Sequence, residues 1–206
     1  MNYLAHILLS KSSPEYQLGN LLADPLKGKG WPGISEGYLA GMKMHALIDS
    51  YTDAHTLVSR SKARLGEKGY LKGVVVDVVY DHFLTKHWHK FVTLALDDFV
   101  AQFERNSSAV LVQLPAPAAL FVGRIFQYKV LLSYGELSGV RQALTRIDSR
   151  LSARIQKKET ASTYMPVLEQ NYSAIEQDFL EFFPQLMALF RDKNTGLEAA
   201  HYLKPS

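Results

Sequence analysis

Apolar residues recur along this chain at intervals of three and four, and the runs they form are separated by clusters of Gly and Pro. That rhythm predicts a series of helices. From Val140 to Ile155 the positions Val140, Leu144, Ile147, Leu151 and Ile155 mark one buried stripe, with Arg141, Arg146, Arg150 and Arg154 on the other faces, as in a surface helix. A last long segment runs through Leu168, Tyr172, Ile175, Phe179, Phe183, Leu186 and Phe190, is expected to kink at Pro184, and stops near Asn194-Thr195-Gly196. The remainder, 195–206 with His201, is expected to be a loose tail. Loops fall at Gly28-Lys29-Gly30-Trp31-Pro32-Gly33, at Gly66-Glu67-Lys68-Gly69, and between Asn106 and Pro117.

One stretch is ambiguous. Val74-Val75-Val76 and Val78-Val79 are β-branched and suit a strand. The run continues to Phe91 without a turn signal, a length that favours a buried helix. No repeat or low-complexity tract interrupts the chain. The reading is all-α, a single-domain helical bundle over 1–206.

Composition narrows the class. With 206 residues, 47% of them hydrophobic and 21% charged, the chain can bury a sizeable core and is not a disordered sequence. No run of about 18 apolar residues predicts a membrane span, and the start Met1-Asn2-Tyr3-Leu4-Ala5-His6 lacks a secretion signal, so a cytoplasmic protein is expected. A net charge of +3 is far from that of a nucleic-acid binder and mildly favours an acidic partner. Without Cys, any metal must be held by His, Asp or Glu.

Polar interruptions in apolar surroundings supply the candidates. Six of the seven His lie in the first 89 residues, alongside Asp24, Asp49, Asp53, Asp77 and Asp81. His45 and Asp49 share one face of a segment that is apolar nearly all round. Asp77 and Asp81 have the same spacing, and two carboxylates so placed repel unless a cation sits between them. His82 follows Asp81 directly, offering a ligand with a supporting partner or two groups facing different sides. His6 stands among Leu4, Ala5, Ile7, Leu8 and Leu9, and Asp24 ends Leu21-Leu22-Ala23. Imidazole and carboxylate without thiolate suit Mn²⁺, Fe²⁺ or Zn²⁺, with Mg²⁺ less expected. Taken singly, each group has a plainer reading: a hydrogen-bonded His–Asp pair, a solvated acidic face, a satisfied core His at position 6, surface positions for His87 and His89, and a helix cap from Asp53 or His55. The metal site, if there is one, comes mostly from residues 1–90.

Met1-Asn-Tyr-Leu-Ala-His6, Gly19-Asn-Leu-Leu-Ala-Asp24, Gly41-Met-Lys-Met-His45 with Ile48-Asp49 and Thr52-Asp53, and Asp77-Val-Val-Tyr-Asp81-His-Phe-Leu84 with His87-Trp88 together resemble the acyl carrier protein phosphodiesterases. A looser likeness continues through Tyr134 and Arg141-Gln-Ala-Leu144 to Phe182-Phe-Pro184. The resemblance implies hydrolysis of 4'-phosphopantetheine from holo acyl carrier protein, a divalent metal cofactor, usually Mn²⁺, and a distant similarity to the HD-type helical metallophosphohydrolases. This chain has Asp81-His82 and no His-Asp dipeptide, so the HD ligand pattern does not transfer. On this reading Asp24, His45, Asp49, Asp77 and Asp81 surround the metal, and Asp24, His6 and His82 serve catalysis. Lys27, Lys29, Arg60, Lys62 and Arg64 are the candidates for docking an acidic carrier protein. The competing readings are a helical metallophosphohydrolase acting on a nucleotide and a non-catalytic module that binds a carrier protein.

Overall fold

The computed structural model describes residues 1–194 and 201–205. Its helices are α1 (Tyr3–Leu8), α2 (Pro14–Leu22), α3 (Glu36–Ala54), α4 (Thr56–Arg64), α5 (Lys72–Lys86), α6 (Trp88–Phe91), α7 (Leu96–Ser108), α8 (Ala116–Gln127), α9 (Leu137–Asp148), α10 (Ala153–Gln156), α11 (Met165–Gln170) and α12 (Tyr172–Lys193). Short 3₁₀ helices lie at Leu111–Gln113, Val130–Gly135 and Ala161–Tyr164, and there is no strand among the described residues. None of the described helices is long and apolar enough to cross a membrane.

The valine-rich stretch is helical because it is the axis of the bundle. On α5, Val75, Val76, Val78, Val79, Tyr80, Phe83 and Leu84 are all buried, so no face is left to solvent over two turns. Neighbours on every side, α1, α4, α9 and α12 among them, override the β preference of the valines. The rings of Tyr80 and Phe83 meet Phe179 of α12 at 5.3 and 5.9 Å. Pro184 lies inside α12, which continues to Lys193.

Two glycines set the spacing that the site depends on. A Cβ on Gly19 of α2 would fall 2.2 Å from the Tyr38 carbonyl oxygen, and one on Gly41 of α3 would fall 2.1 Å from that of Tyr16. Helices α2 and α3 therefore cross backbone to backbone, at a distance only glycine permits.

Helix α1 has six residues and could not persist alone. Its amino end is capped from α5: the Leu4 and Ala5 amides donate to the two Asp81 carboxylate oxygens at 2.8 and 3.3 Å. Its carboxyl end is held by the C-terminal segment, where His201 Nε2 donates to the Ser10 carbonyl at 2.9 Å. That segment is docked, in contrast to the loose tail expected from sequence. The Thr93 amide donates to Tyr202 O and the Lys204 amide to Phe91 O, each at 2.8 Å. Residues 195–200 and 206, which share that expectation, lie outside the described residues.

Two further boundaries depart from the sequence reading. The stripe from Val140 to Ile155 is split: α9 ends at Asp148, whose carboxylate accepts the Ala161 and Ser162 amides at 2.5 and 3.1 Å and turns the chain, leaving Ile155 on α10 40% exposed. The run ending at Phe91 is likewise broken after Lys86, and His87 joins α5 to α6. His55 is a cap, as one reading proposed: it ends α3 and starts α4, its Nδ1 accepting the Leu57 amide at 3.2 Å.

Candidate metal centre

The site forms where α1, α2 and α3 meet. His6 from α1 and His45 from α3 stack face to face, ring centroids 4.0 Å apart with an 18° angle between planes. Asn20 of α2, fully buried, holds both. Its Nδ2 donates to His6 O at 2.8 Å, Leu9 O at 3.2 Å and Ser10 Oγ at 2.9 Å, which leaves its Oδ1 facing His6 Nδ1 at 2.8 Å. Its backbone carbonyl faces His45 Nδ1 at 2.7 Å. An amide oxygen and a carbonyl only accept, so the partners assign the proton of both imidazoles to Nδ1.

The consequence appears at the other ring nitrogens. With Nδ1 protonated, each neutral ring presents its Nε2 lone pair to carboxylate oxygens: His6 to Asp49 Oδ1 at 3.2 Å, His45 to Asp49 Oδ2 at 3.1 Å and to Asp24 Oδ1 at 3.2 Å. Neither buried Nε2 makes a directed hydrogen bond. Lone pair against carboxylate is repulsive unless a proton or a cation lies between. Protonating both rings is opposed by their stacking. Burial pushes His6 below its ordinary pKa, with the His45 charge adding to the effect and Asp49 opposing it. Burial also disfavours charge on His45, but the Asp24 and Asp49 carboxylates beside its Nε2 outweigh it and push it up to about 9. Asp49 itself, despite its burial, is held well below the usual carboxylate range by the two imidazoles.

One proton therefore satisfies His45, whereas His6 is left with an unused donor atom. A divalent cation would satisfy both. One ligand atom each from His6, His45 and Asp49 lies within 4.8 Å of the others, and the two-imidazole, one-carboxylate set has the chemistry of a transition-metal site. The fit rests on the orphaned Nε2 atoms and on Asn20, which orients the rings as a supporting shell does in such sites. Above the cluster opens a small cleft, enclosing about 20 Å³ and lined by Met1, Asn2, Tyr3, His6, Leu21, Asp24 and His45.

A family model described as acyl carrier protein phosphodiesterase matches residues 1–186. The chain belongs to the acyl carrier protein phosphodiesterase family. Of the relatives that carry this name, the one from Serratia proteamaculans is 33% identical, the match covering 94% of this chain and 99% of that protein. The Yersinia enterocolitica relative is 30% identical over the same shares of the two chains. One from Escherichia coli O157:H7 is 26% identical over 91% of this chain and 96% of its own. No solved structure matches the chain.

The family motifs sort into two groups in space. His6, Asp24, His45 and Asp49 come together. Asp77 and Asp81 are drawn to the amino end of α1: Asp77 Oδ1 lies 2.8 Å from the Met1 amino group, which is also 3.9 Å from Asp49, and Asp81 carries the two amide hydrogen bonds of the α1 cap. Burial raises Asp81 to about 7, against the pull of those amides. His82 points elsewhere: its Nδ1 donates to the Tyr134 carbonyl at 2.7 Å and its Nε2 meets the Tyr172 hydroxyl at 2.8 Å. Asp81 and His82 are thus absent from both the cluster and the cleft lining.

The docking candidates separate similarly. Arg60 and Arg64 are bonded to Asp178, a fully buried carboxylate, at 2.6 and 3.0 Å, and Lys62 is paired with Asp53 at 2.8 Å. Their charge is already matched within the fold. Lys27 and Lys29 are exposed in the turn that follows Asp24. Sequence reasoning quoted Asn20 and Tyr3 without giving either a role. For Asn20 the available signal was an amide in the otherwise apolar run from Leu18 to Leu22.

Proposed function

We propose that this chain is a metal-dependent phosphodiesterase that releases 4'-phosphopantetheine from holo acyl carrier protein. The observation that carries the reading is the pair of buried Nε2 atoms, each with its Nδ1 proton already committed to Asn20, converging on Asp49. The names of the relatives supply the substrate.

His6, His45 and Asp49 would hold the cation, with Asp24 a further ligand or a proton acceptor; the donor set suits Mn²⁺, Fe²⁺ or Zn²⁺ alike, and it is the family resemblance that favours Mn²⁺. Such an ion supplies Lewis-acid relief of the phosphodiester charge and makes water a better nucleophile near neutral pH. The side chains do the remainder. Asn20 fixes both rings, so the ligand atoms need not reorganise. Asp24 is 80% exposed at the cleft, and the His45 imidazole beside it keeps it ionised by lowering its pKa. It can take a proton from the water that attacks phosphorus and return it to the serine oxygen as the P–O bond breaks. The products are free 4'-phosphopantetheine and the apo protein with its serine hydroxyl restored. The enclosed space is only about 20 Å³, far below the roughly 300–1,000 Å³ usual for pockets that enclose a ligand. A site this shallow does not enclose a nucleotide, which fits a phosphodiester presented from outside by a larger molecule. Lys27 and Lys29 stand beside Asp24 and remain available for docking an acidic carrier.

The test is direct. Holo carrier protein incubated with the Mn²⁺-loaded protein should lose its prosthetic group by mass spectrometry, and H6A and H45A should leave it intact. Unaltered holo protein after incubation with the loaded wild type would refute the reading.

A further inference from the structure

The cleft is too shallow to hold a protein substrate by itself. It encloses about 20 Å³, so most of the surface that binds a macromolecule presenting a phosphodiester there must lie outside it, around its mouth. On the Asp24 side the chain offers the exposed Lys27 and Lys29, which bring charge. A protein partner also needs an apolar or aromatic centre, with Arg the cation such surfaces favour.

The Tyr3 side supplies one. Tyr3 lines the cleft, and its ring is met edge-on by Phe121 of α8 at 5.8 Å. Helix α8 buries Ala118, Val122 and Ile125, and an ordinary surface helix would then be polar on the opposite face. This one is not. Leu120 is 57% exposed, and Tyr128, two turns on and just past the end of the helix, is 61% exposed. Midway between them stands the exposed Arg124, which is also one turn from Phe121. The helix carries no acidic residue. Arg124 and Lys129 are both exposed and, among the described residues, belong to no ion pair, unlike Arg60, Lys62, Arg64 and Arg141. An apolar stripe with an unpaired cation at its middle thus begins beside the ring that braces the cleft wall.

We propose that this outer face of α8, centred on Leu120 and Arg124, is where the carrier protein docks through an acidic surface of its own. The proposal rests on the phosphodiesterase reading and gives its substrate a second point of attachment. Charge selects this occupant. A second copy of the chain packed on the same face about a twofold axis would bring like cations together, whereas an acidic partner would pair with them.

Turnover and binding test it separately. L120E and R124E should each raise KM for holo carrier protein by about tenfold or more, the effect of losing a central contact, and should weaken its equilibrium binding by fluorescence anisotropy to match. Their urea midpoints and Mn²⁺ affinities should stay at the wild-type values. I155E puts the same charge on an exposed apolar residue elsewhere and should leave KM unchanged. Wild-type KM and binding in both α8 variants would overturn the proposal, as would an equal rise in KM for I155E. A wild-type dimer that L120E dissociates would assign the face to self-association instead, and binding to phosphatidylglycerol vesicles that both variants lose would assign it to a membrane. If wild type binds holo carrier protein without cleaving it, the phosphodiesterase reading falls, and weaker binding by L120E still supports the docking face. If wild type neither binds nor cleaves it, both fall together.

Discussion

Asn20→Ala is the substitution that separates a metal centre from a hydrogen-bonded His–Asp pair. The Asn20 side chain is fully buried and makes its contacts inside one network. Removing it leaves the His6 Nδ1 proton and the Leu9 carbonyl without partners, while His6 O keeps the Ser10 hydroxyl at 2.7 Å. Each buried group so orphaned costs about 1–3 kcal/mol, or roughly 2–6 kcal/mol for the two. A domain of this size has roughly 5–15 kcal/mol to lose, so N20A should still fold. Its His6 ring, however, is free to rotate or to move its proton to Nε2, which would block the ligand atom. Losing an orienting partner of this kind lowers metal affinity by roughly 10–100-fold. The assay is Mn²⁺ titration followed by electron paramagnetic resonance, beside a urea unfolding curve on the same samples. A variant that loses the predicted stability but binds Mn²⁺ with wild-type affinity would refute the argument that Asn20 sets the tautomer for a ligand.

Three other outcomes follow from the same geometry. Asp81→Asn keeps an oxygen acceptor at the α1 cap and should leave Mn²⁺ affinity unchanged, while Asp81→Ala loses the cap at a cost of about 1–2 kcal/mol; lost Mn²⁺ binding by D81N at wild-type stability would make Asp81 a ligand after all. Gly41→Ala drives a methyl into the Tyr16 carbonyl and should destabilise by about 1–3 kcal/mol, read as a lower urea midpoint, with Mn²⁺ affinity reduced as α3 backs away from Asn20; an unchanged midpoint would mean the crossing can relax. Asp178 is buried, which opposes its ionisation, yet hydrogen bonds from Arg64, Arg60 and Ser61 hold its pKa below the ordinary value. For a carboxylate lowered in the fold, the stabilisation is complete above about pH 4 and is lost as pH falls through the lower folded value. The urea midpoint of wild type should therefore drop on acidification below about pH 4 more steeply than that of D178N, and parallel curves would contradict the assignment.

The helical architecture was legible because side-chain periodicity reports which faces are buried, and α12 is long enough for the pattern to dominate. The valines of α5 show its limit. Only the neighbours on every side, not the residues themselves, decide between helix and strand there. Periodicity also ran past the end of α9, since the signal that stops that helix is Asp148 bonding to amides thirteen residues ahead. The docked C-terminal segment left no side-chain pattern because its pairing with Phe91 and Thr93 is through the backbone. In the site, His6, His45, Asp24 and Asp49 stood out as polar groups among hydrocarbon. Asp77 and Asp81 carried the same local signature as His45 and Asp49, and spacing along one helix says nothing about which neighbouring element a side chain meets.

His6 rides on six residues that stay helical only while Asp81 grips one end and the C-terminal segment the other. Occupancy by an ion would knit these distant pieces together, so the protein's resistance to heat and proteolysis should rise with the ion supply around it. Chelation should make the first few residues susceptible to trimming well before the α5–α12 interior opens.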